Sequence, residues 1–371
     1  MNTVNPENID WSTLLGRSPE PLDPSAWPHL SGRRVLVTGA GGSIGSALAK
    51  AVLACGAGQV VLLECGEQAL YRIEGDLADL GLASCAISIL GSVTDEWLLQ
   101  DVFDRFCPSI VFHAAAFKHV SLMEAHPLSA LENNTVGTYL VARAAARFGA
   151  ERFITVSTDK AVGPAGIMGA SKHLAELVVG SFARSRTKMN VVRLGNVLGS
   201  EGSVAPRFVR QILHGGPVTI THAETTRYFF TLDETVVLIL AASGLDDPGV
   251  IVIPRETEPL NVGILAKFLI DQLGAKSRDI AIQYTGLRPG EKMTEDMCSA
   301  QEQQNVVERD GYRLVWNPGL SVDDTERMIE GLRAALRQRD PDQLLQLVQR
   351  FVPEYHPSET VQSLCLNPRP R

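Results

Sequence analysis

Short apolar runs recur along most of the chain, separated by longer stretches with helical spacing. The runs are Val35-Leu36-Val37, Val60 to Leu63, Ile87 to Leu90, Ile110 to Phe112, Phe153 to Val156, Val191 to Leu194 and Val250 to Ile253. Runs this continuous leave no polar face, as expected of strands covered on both sides. Their alternation with helices predicts an α/β fold, a Rossmann-type doubly wound parallel sheet of about seven strands. After Asn196 the alternation becomes irregular and Gly, Pro, Arg and Thr grow denser, which predicts a smaller C-terminal substrate-binding lobe. Met328, Leu332 and Leu336 then recur at helical spacing, as do Leu344, Leu347, Val348 and Phe351.

These patterns divide the chain into four parts. Residues 1–32, rich in proline and poor in periodicity, form an N-terminal arm. Residues 33–195 form the Rossmann domain, with a strand near 249–254 added to its sheet. Segments 196–232 and 255–320 form the lobe, and 321–371 the C-terminal helices and tail.

Composition narrows the picture. The chain has 371 residues, 45% hydrophobic and 20% charged, as in an ordinary globular protein. Its net charge of −8 argues against nucleic acid or an anionic membrane as partner, so an anionic substrate needs local arginines. The six cysteines are scattered and read as reduced thiols. The Asn-, Glu- and Pro-rich start lacks the features of a signal peptide. The most apolar run, Thr235 to Ser243, is too short to span a bilayer, so no membrane insertion and a cytoplasmic enzyme are expected.

Thr38 to Gly45 (TGAGGSIG) directly follows the first strand and opens a helix. Gly39 permits the tight turn, Gly42 admits a pyrophosphate, and Gly45 allows close helix–strand packing. Ser43 and Ile44 start the helix whose free N–H groups face the phosphates. Glu64 ends the second strand, where a carboxylate accepts from both adenosine ribose hydroxyls and repels a 2′-phosphate, favouring NAD over NADP. Ala114, Ala115 and Ala116 let the cofactor lie close to the backbone, and Asn134 is placed to brace the active-site helix.

Thr158, Asp159 and Lys160 follow the fifth strand, and Met168 and Lys172 lie four residues apart on the next helix. Many enzymes of this architecture carry a tyrosine base where Met168 stands, and a thioether cannot exchange a proton. Either catalysis is lost or acid–base chemistry has moved to Asp159 and Lys160. By themselves these two are equally a solvated ion pair beyond a strand. His113 and His119 lack a third ligand at useful spacing, so no metal is expected.

Taken together, Thr38 to Ser46, His113 to Val120, Val156 to Lys172, Arg193 to Val204, Arg227-Tyr228-Phe229 and Gly286 to Lys292 resemble an extended short-chain dehydrogenase/reductase. More narrowly, they are similar to the polysaccharide-biosynthesis group of UDP-N-acetylglucosamine 4,6-dehydratases, in the methionine-bearing branch that retains configuration at carbon 5. Leu14 to Arg17 and Val352 to Tyr355 resemble flanks of large members that carry transmembrane helices, of which this chain looks like a soluble version. Ser92 replaces the family's usual aspartate near the adenine, and Ser121 its usual proline.

The resemblance implies oxidation at carbon 4, loss of water across carbons 5 and 6, and hydride return, with NAD tightly bound and regenerated each turnover. It assigns Lys160 as base at carbon 5, Asp159 as acid at carbon 6, and Thr158 as a hydrogen-bonding group near the carbon 4 oxygen. This pair works if burial and neighbouring charge bring its proton affinities together. Lys172 binds the nicotinamide ribose, while Met168 fills the core. Arg227 and Arg288 are the candidate diphosphate ligands of a UDP-sugar, since guanidinium matches phosphate oxygens. Glu291 is placed for the ribose, Asn196 and Ser203 for the sugar–phosphate path, and Lys118 and His119 for the sugar. A homo-oligomer is expected. The alternatives are a 4- or 5-epimerase, or a non-catalytic protein that binds NAD or a nucleotide sugar.

Overall fold

A computed structural model describes residues 9–18, 21–255, 258–273, 279–317 and 319–366. Six parallel strands carry the first half: β1 (Arg34–Thr38), β2 (Gln59–Glu64), β3 (Ala86–Leu90), β4 (Ile110–His113), β5 (Arg152–Thr158) and β6 (Lys188–Leu194). The order across the sheet is β3-β2-β1-β4-β5-β6, continued by a parallel strand at Val250–Pro254. The order reverses between β1 and β4, and ligands of such sheets bind outside the strand ends at that reversal.

Two further strands extend the sheet to nine. Tyr312–Trp316 runs antiparallel to Val250–Pro254, and Val307–Glu308 pairs beyond it. Residues 307–316 therefore belong to the main sheet, not to the lobe in which the sequence reading places them. Their short, mixed-polarity pattern lacks the continuous apolar signature of the buried parallel strands.

The helices before β6 are α1 (Trp11–Leu15), α2 (Ser43–Ala54), α3 (Glu67–Asp79), α4 (Glu96–Phe106), α5 (Val120–Ala125), α6 (Pro127–Leu131), α7 (Gly137–Arg147) and α8 (Ile167–Ser181). Alternating side chains on β1 feed two separate cores. Val35 and Val37 pack with Leu48 and Val52 of α2 and Ile239 of the helix Leu232–Gly244. Leu36 faces the other layer, with Phe103 of α4, Val141 of α7 and Leu174 of α8. The helices Val322–Gln338 and Pro341–Phe351 add Met328, Leu332, Leu344 and Val348 to that second layer.

The lobe has its own core, in which Phe208 and Ile212 of the helix Val204–Leu213 meet Leu265 and Leu269 of the helix Val262–Gln272. Trp11, Leu14 and Leu15 of α1 pack against this core, so the described part of the arm docks on the lobe. Two-stranded pairs frame it: Val218–Ile220 with Ile282–Tyr284, Thr226–Arg227 with Leu260–Asn261, and Asn196–Val197 with Phe229–Phe230.

One buried cation ties lobe to body. Arg193 on β6 is 1% exposed and all five of its N–H donors are engaged. Nε and Nη2 form a fork to Glu176 of α8 at 2.9 and 2.7 Å. Nη1 and Nη2 form another to Glu302 at 2.9 and 2.8 Å, and Nη1 also reaches the Met297 carbonyl. Paired charge holds the guanidinium protonated despite its burial. Apolar periodicity gives no warning of an interior arginine.

Candidate active site

The glycine turn is built by contact between backbones. Gly39 has φ +66°, and a Cβ there would sit 2.7 Å from Ala115 Cα. A Cβ on Gly45 would lie 2.0 Å from the Gly39 carbonyl oxygen. Glu64 Oε2 accepts from Gly41 N at 3.0 Å and Oε1 from Gly66 N at 2.9 Å, so the carboxylate clasps this turn. Oε1 also accepts from the Cys65 thiol at 3.6 Å, which leaves Oε2 with a lone pair for a further donor.

Above the turn lies a cavity of about 450 Å³, lined by Gly39, Gly42, Ser43, Ile44, Gly45, Ala114 and Ala116 on the turn side. Lys118, His119, Thr158, Lys160, Met168, Lys172, Asn196 and Ser203 line the rest. Exposed amides at a helix start, small residues against the strand ends and no side chain filling the space fit a dinucleotide. Ala115, Glu64, Asn134 and Asp159 lie behind this wall. Asn134 Oδ1 accepts from Phe117 N, and its Nδ2 donates to Phe117 O and Ser171 Oγ, fastening the loop after β4 to α8.

β5 delivers the reactive groups. It ends at Thr158, and a single 3-10 turn, Asp159–Ala161, follows. Asp159 is fully buried; its Oδ1 accepts from Thr158 Oγ1 and from Lys160 Nζ, both at 2.8 Å. Its Oδ2 is buried without a hydrogen-bond partner. Lys160 Nζ also donates to Asn196 Oδ1 at 3.2 Å. Gly169 allows α8 to press on this turn, because a Cβ there would meet the Lys160 carbonyl oxygen at 2.2 Å.

Met168, 3% exposed, packs with the apolar layer beneath α8 while lining the cavity. Lys172 is 4% exposed, and burial drops its pKa to about 8 against the opposing pull of Glu176. Among the described residues its ammonium makes no hydrogen bond, so its protons face the cavity. His113 beneath it bonds Thr38 Oγ1 through Nδ1 and Thr138 Oγ1 through Nε2. Burial, with Lys172 nearby, drops its pKa to about 3, so the ring is a neutral structural link.

A second cavity of about 210 Å³ opens under the lobe and shares Lys160, Asn196, Gly202 and Ser203 with the first. Arg227, Arg288 and Glu291 line it, and so does Arg207, which the sequence reading missed. Arg207 lies one helical turn after Ser203, a spacing that puts both on one helix face. The arginines differ in freedom. Arg227 donates to the carbonyls of Thr226, Met293 and Lys292, whereas the Arg288 guanidinium has no hydrogen bond or ion pair among the described residues. Burial and the Arg288 charge both push the Arg207 pKa down, so this cavity favours an anion.

The loop carrying Glu201 roofs the site. Its backbone N–H donates to Ser43 Oγ at 2.9 Å, and Lys118 Nζ donates to its carbonyl at 2.7 Å. His119 lies below Gly202, whose missing Cβ would meet His119 Cε1 at 2.7 Å. Glu124, also missed from sequence, is 1% exposed and accepts from Ile167 N at the start of α8 and from Ser358 Oγ. Among the described residues, no group of three His, Cys, Asp or Glu is placed to hold a metal, and no helix is long and apolar enough to cross a membrane.

A doubly wound sheet with its glycine turn at the strand-order reversal, a Thr-Asp-Lys strand end and a lysine on the following helix defines an extended short-chain dehydrogenase/reductase. Residues 35–316 match the model of the polysaccharide biosynthesis protein family, and the chain belongs to that family.

The chain is 41% identical over 311 residues to the capsular polysaccharide biosynthesis protein CapD of Staphylococcus aureus, covering 82% of this chain and 52% of CapD. It spans about half the length of the first curated relatives it matches. The solved structure of Pen from Bacillus thuringiensis superposes with a TM-score of 0.74 at 27% identity, over 79% of this chain and 92% of Pen. DesIV of Streptomyces venezuelae, a dTDP-glucose 4,6-dehydratase solved with NAD and TYD bound, gives 0.64 at 22% identity over 82% and 98%, a likeness of fold alone.

Proposed function

We propose that this chain is a nucleotide-sugar 4,6-dehydratase that acts on UDP-N-acetylglucosamine or a close relative, with NAD held through turnover. The observation that carries this reading is the half-buried Lys160, paired with the buried Asp159, which lines two cavities at once, one fitting a dinucleotide and one lined by arginines. NAD-binding neighbours of like fold support the cofactor assignment. NAD supplies the hydride acceptor for carbon 4 and the donor for carbon 6.

The protein's own groups move the protons. Lys160 takes the proton of carbon 5, made acidic by the ketone at carbon 4, and Asp159 gives one to the departing carbon 6 hydroxyl. Thr158 holds the carbon 4 oxygen. Lys172 orients the nicotinamide ribose, and its buried positive charge helps ionise the carbon 4 hydroxyl in place of the absent phenol. Arg288 and Arg207 meet the diphosphate, with Arg227 shaping the wall; Glu291 serves the ribose, and Lys118 and His119 the sugar. Retention at carbon 5 and a homo-oligomeric state belong to the same reading through the family resemblance.

The test is incubation of the purified chain with UDP-N-acetylglucosamine and no added NAD, the product being followed by mass and NMR. Loss of one water is expected. Unchanged mass with altered stereochemistry would make the protein an epimerase, and no turnover of any nucleotide sugar would make it a binding protein. Asp159→Asn and Lys160→Ala are each expected to slow dehydration by about 100- to 10,000-fold while NAD stays bound. Near-normal rates in either variant would sink the assignment.

A further inference from the structure

Glu295 is a buried carboxylate to which the sequence motifs assign nothing. It is 4% exposed, sits just past the Gly286 to Lys292 segment, and lines the lobe cavity. Its Oε1 lies 3.9 Å from Lys160 Nζ. Its Oε2 lies 3.5 Å from Lys292 Nζ and has no hydrogen bond. Lys292 is engaged elsewhere, donating to the Val162 carbonyl at 2.6 Å. The segment that follows Glu295 is pinned in place by Arg193, through the Met297 carbonyl and Glu302.

Lys160 thus lies between two buried carboxylates that reach it from different parts of the fold. Asp159 comes from its own turn, Glu295 from the lobe, and Asn196 contributes only a neutral amide oxygen. On the far side, Arg227 and Lys292 face Glu295, and the Tyr228 phenol lies within reach of the Asp159 charge. Burial raises the Glu295 pKa, Lys160 opposes that rise, and Asp159 reinforces it. A carboxylate placed so is costly to keep charged and unbonded, so its position beside the Lys160 ammonium has a use.

We propose, on the assignment of Lys160 as base given above, that Glu295 is a positioning residue for Lys160: it flanks the ammonium from the lobe side and sets how firmly its proton is held. An ionised carboxylate at this place favours the ammonium form of its neighbour. When the two close from 3.9 Å to hydrogen-bond distance, one proton can pass from Nζ to Oε1, leaving a free amine and a carboxylic acid. The N–H bond breaks as the O–H bond forms, and no other reactant is needed. The free amine is then able to accept the carbon 5 proton.

The decisive measurement is the titration midpoint of the Lys160 amine in the full chain, from the pH dependence of acylation by acetic anhydride resolved by peptide mapping. Glu295→Gln removes the ionisable neighbour and is expected to lower that midpoint by about one pH unit or more. The acidic limb of the kcat profile should move down with it, while KM stays within about twofold. A midpoint unchanged from the wild-type value overturns the proposal. Should Glu295→Gln fail to fold, Glu295→Asp decides alone, with a drop of about half a unit supporting the proposal and no drop overturning it. Because the midpoint is read without turnover, a wild-type chain that releases no water would sink the dehydratase reading and leave this result standing by itself.

Discussion

In the glycine turn, a single added carbon on Gly45 would stand 2.0 Å from the Gly39 carbonyl oxygen, and the nearby Gly39 tolerates no more. Across the site, in the lobe cavity, the whole guanidinium of Arg288 stands among the described residues without a protein partner. On the proposed reading the first region would meet its ligand with backbone, by keeping side chains away. The second would meet it with side chains, of which Arg288 alone among its three arginines is free of internal bonds among the described residues. Regions of the first kind cannot change without disturbing the fold, whereas regions of the second can change specificity at small structural cost.

The strongest way to break this comparison is Gly45→Ala. Its new methyl group meets backbone that cannot step aside, so a loss of about 3 kcal/mol or more is expected in urea unfolding, together with loss of bound NAD. A variant of wild-type stability would show that the turn has slack. Lys172→Met comes next, and its effect has the opposite sign. The folded pKa of Lys172, about 8, lies below its ordinary value of 10.5, so the unfolded chain binds more protons between those limits. Wild-type stability should therefore rise as pH climbs from 8 to 10.5. The methionine variant should lack that rise, being about 2 kcal/mol more stable at pH 7 and inactive. Denaturation midpoints compared at pH 7 and near pH 10 decide it. Arg288→Ala is expected to do least to the fold, within about 0.5 kcal/mol, while weakening UDP-sugar binding by about 10- to 100-fold in calorimetry. A large loss of stability there would mean that Arg288 is structural after all.

Legibility from sequence followed the same division. The parallel strands and the glycine turn announce themselves because local rules govern them: apolar continuity for strands covered on both faces, and backbone sterics for Gly39 and Gly45. Residues 307–316 escaped because their short antiparallel strands sit at the edge of the sheet and mix polar with apolar positions. Arg193 escaped because an interior arginine reads as exposed until Glu176 and Glu302 are seen to neutralise it. Arg207 had a faint local signal, one turn beyond Ser203. Glu295 had none, since it lies 135 positions from Lys160 in the chain and only tertiary structure brings them together. Glu64 was recognisable as a strand-end acid, but not as the clasp of the turn, because that depends on where two backbone N–H groups point.

The forked Arg193 carries one further consequence. Its guanidinium plane grips α8 of the body on one edge and the 3-10 turn Glu302–Asn305 on the other. Without that guanidinium, Glu176 and Glu302 would be two carboxylates left facing each other in a buried space, and the contact between α8 and this turn would change from attraction to repulsion.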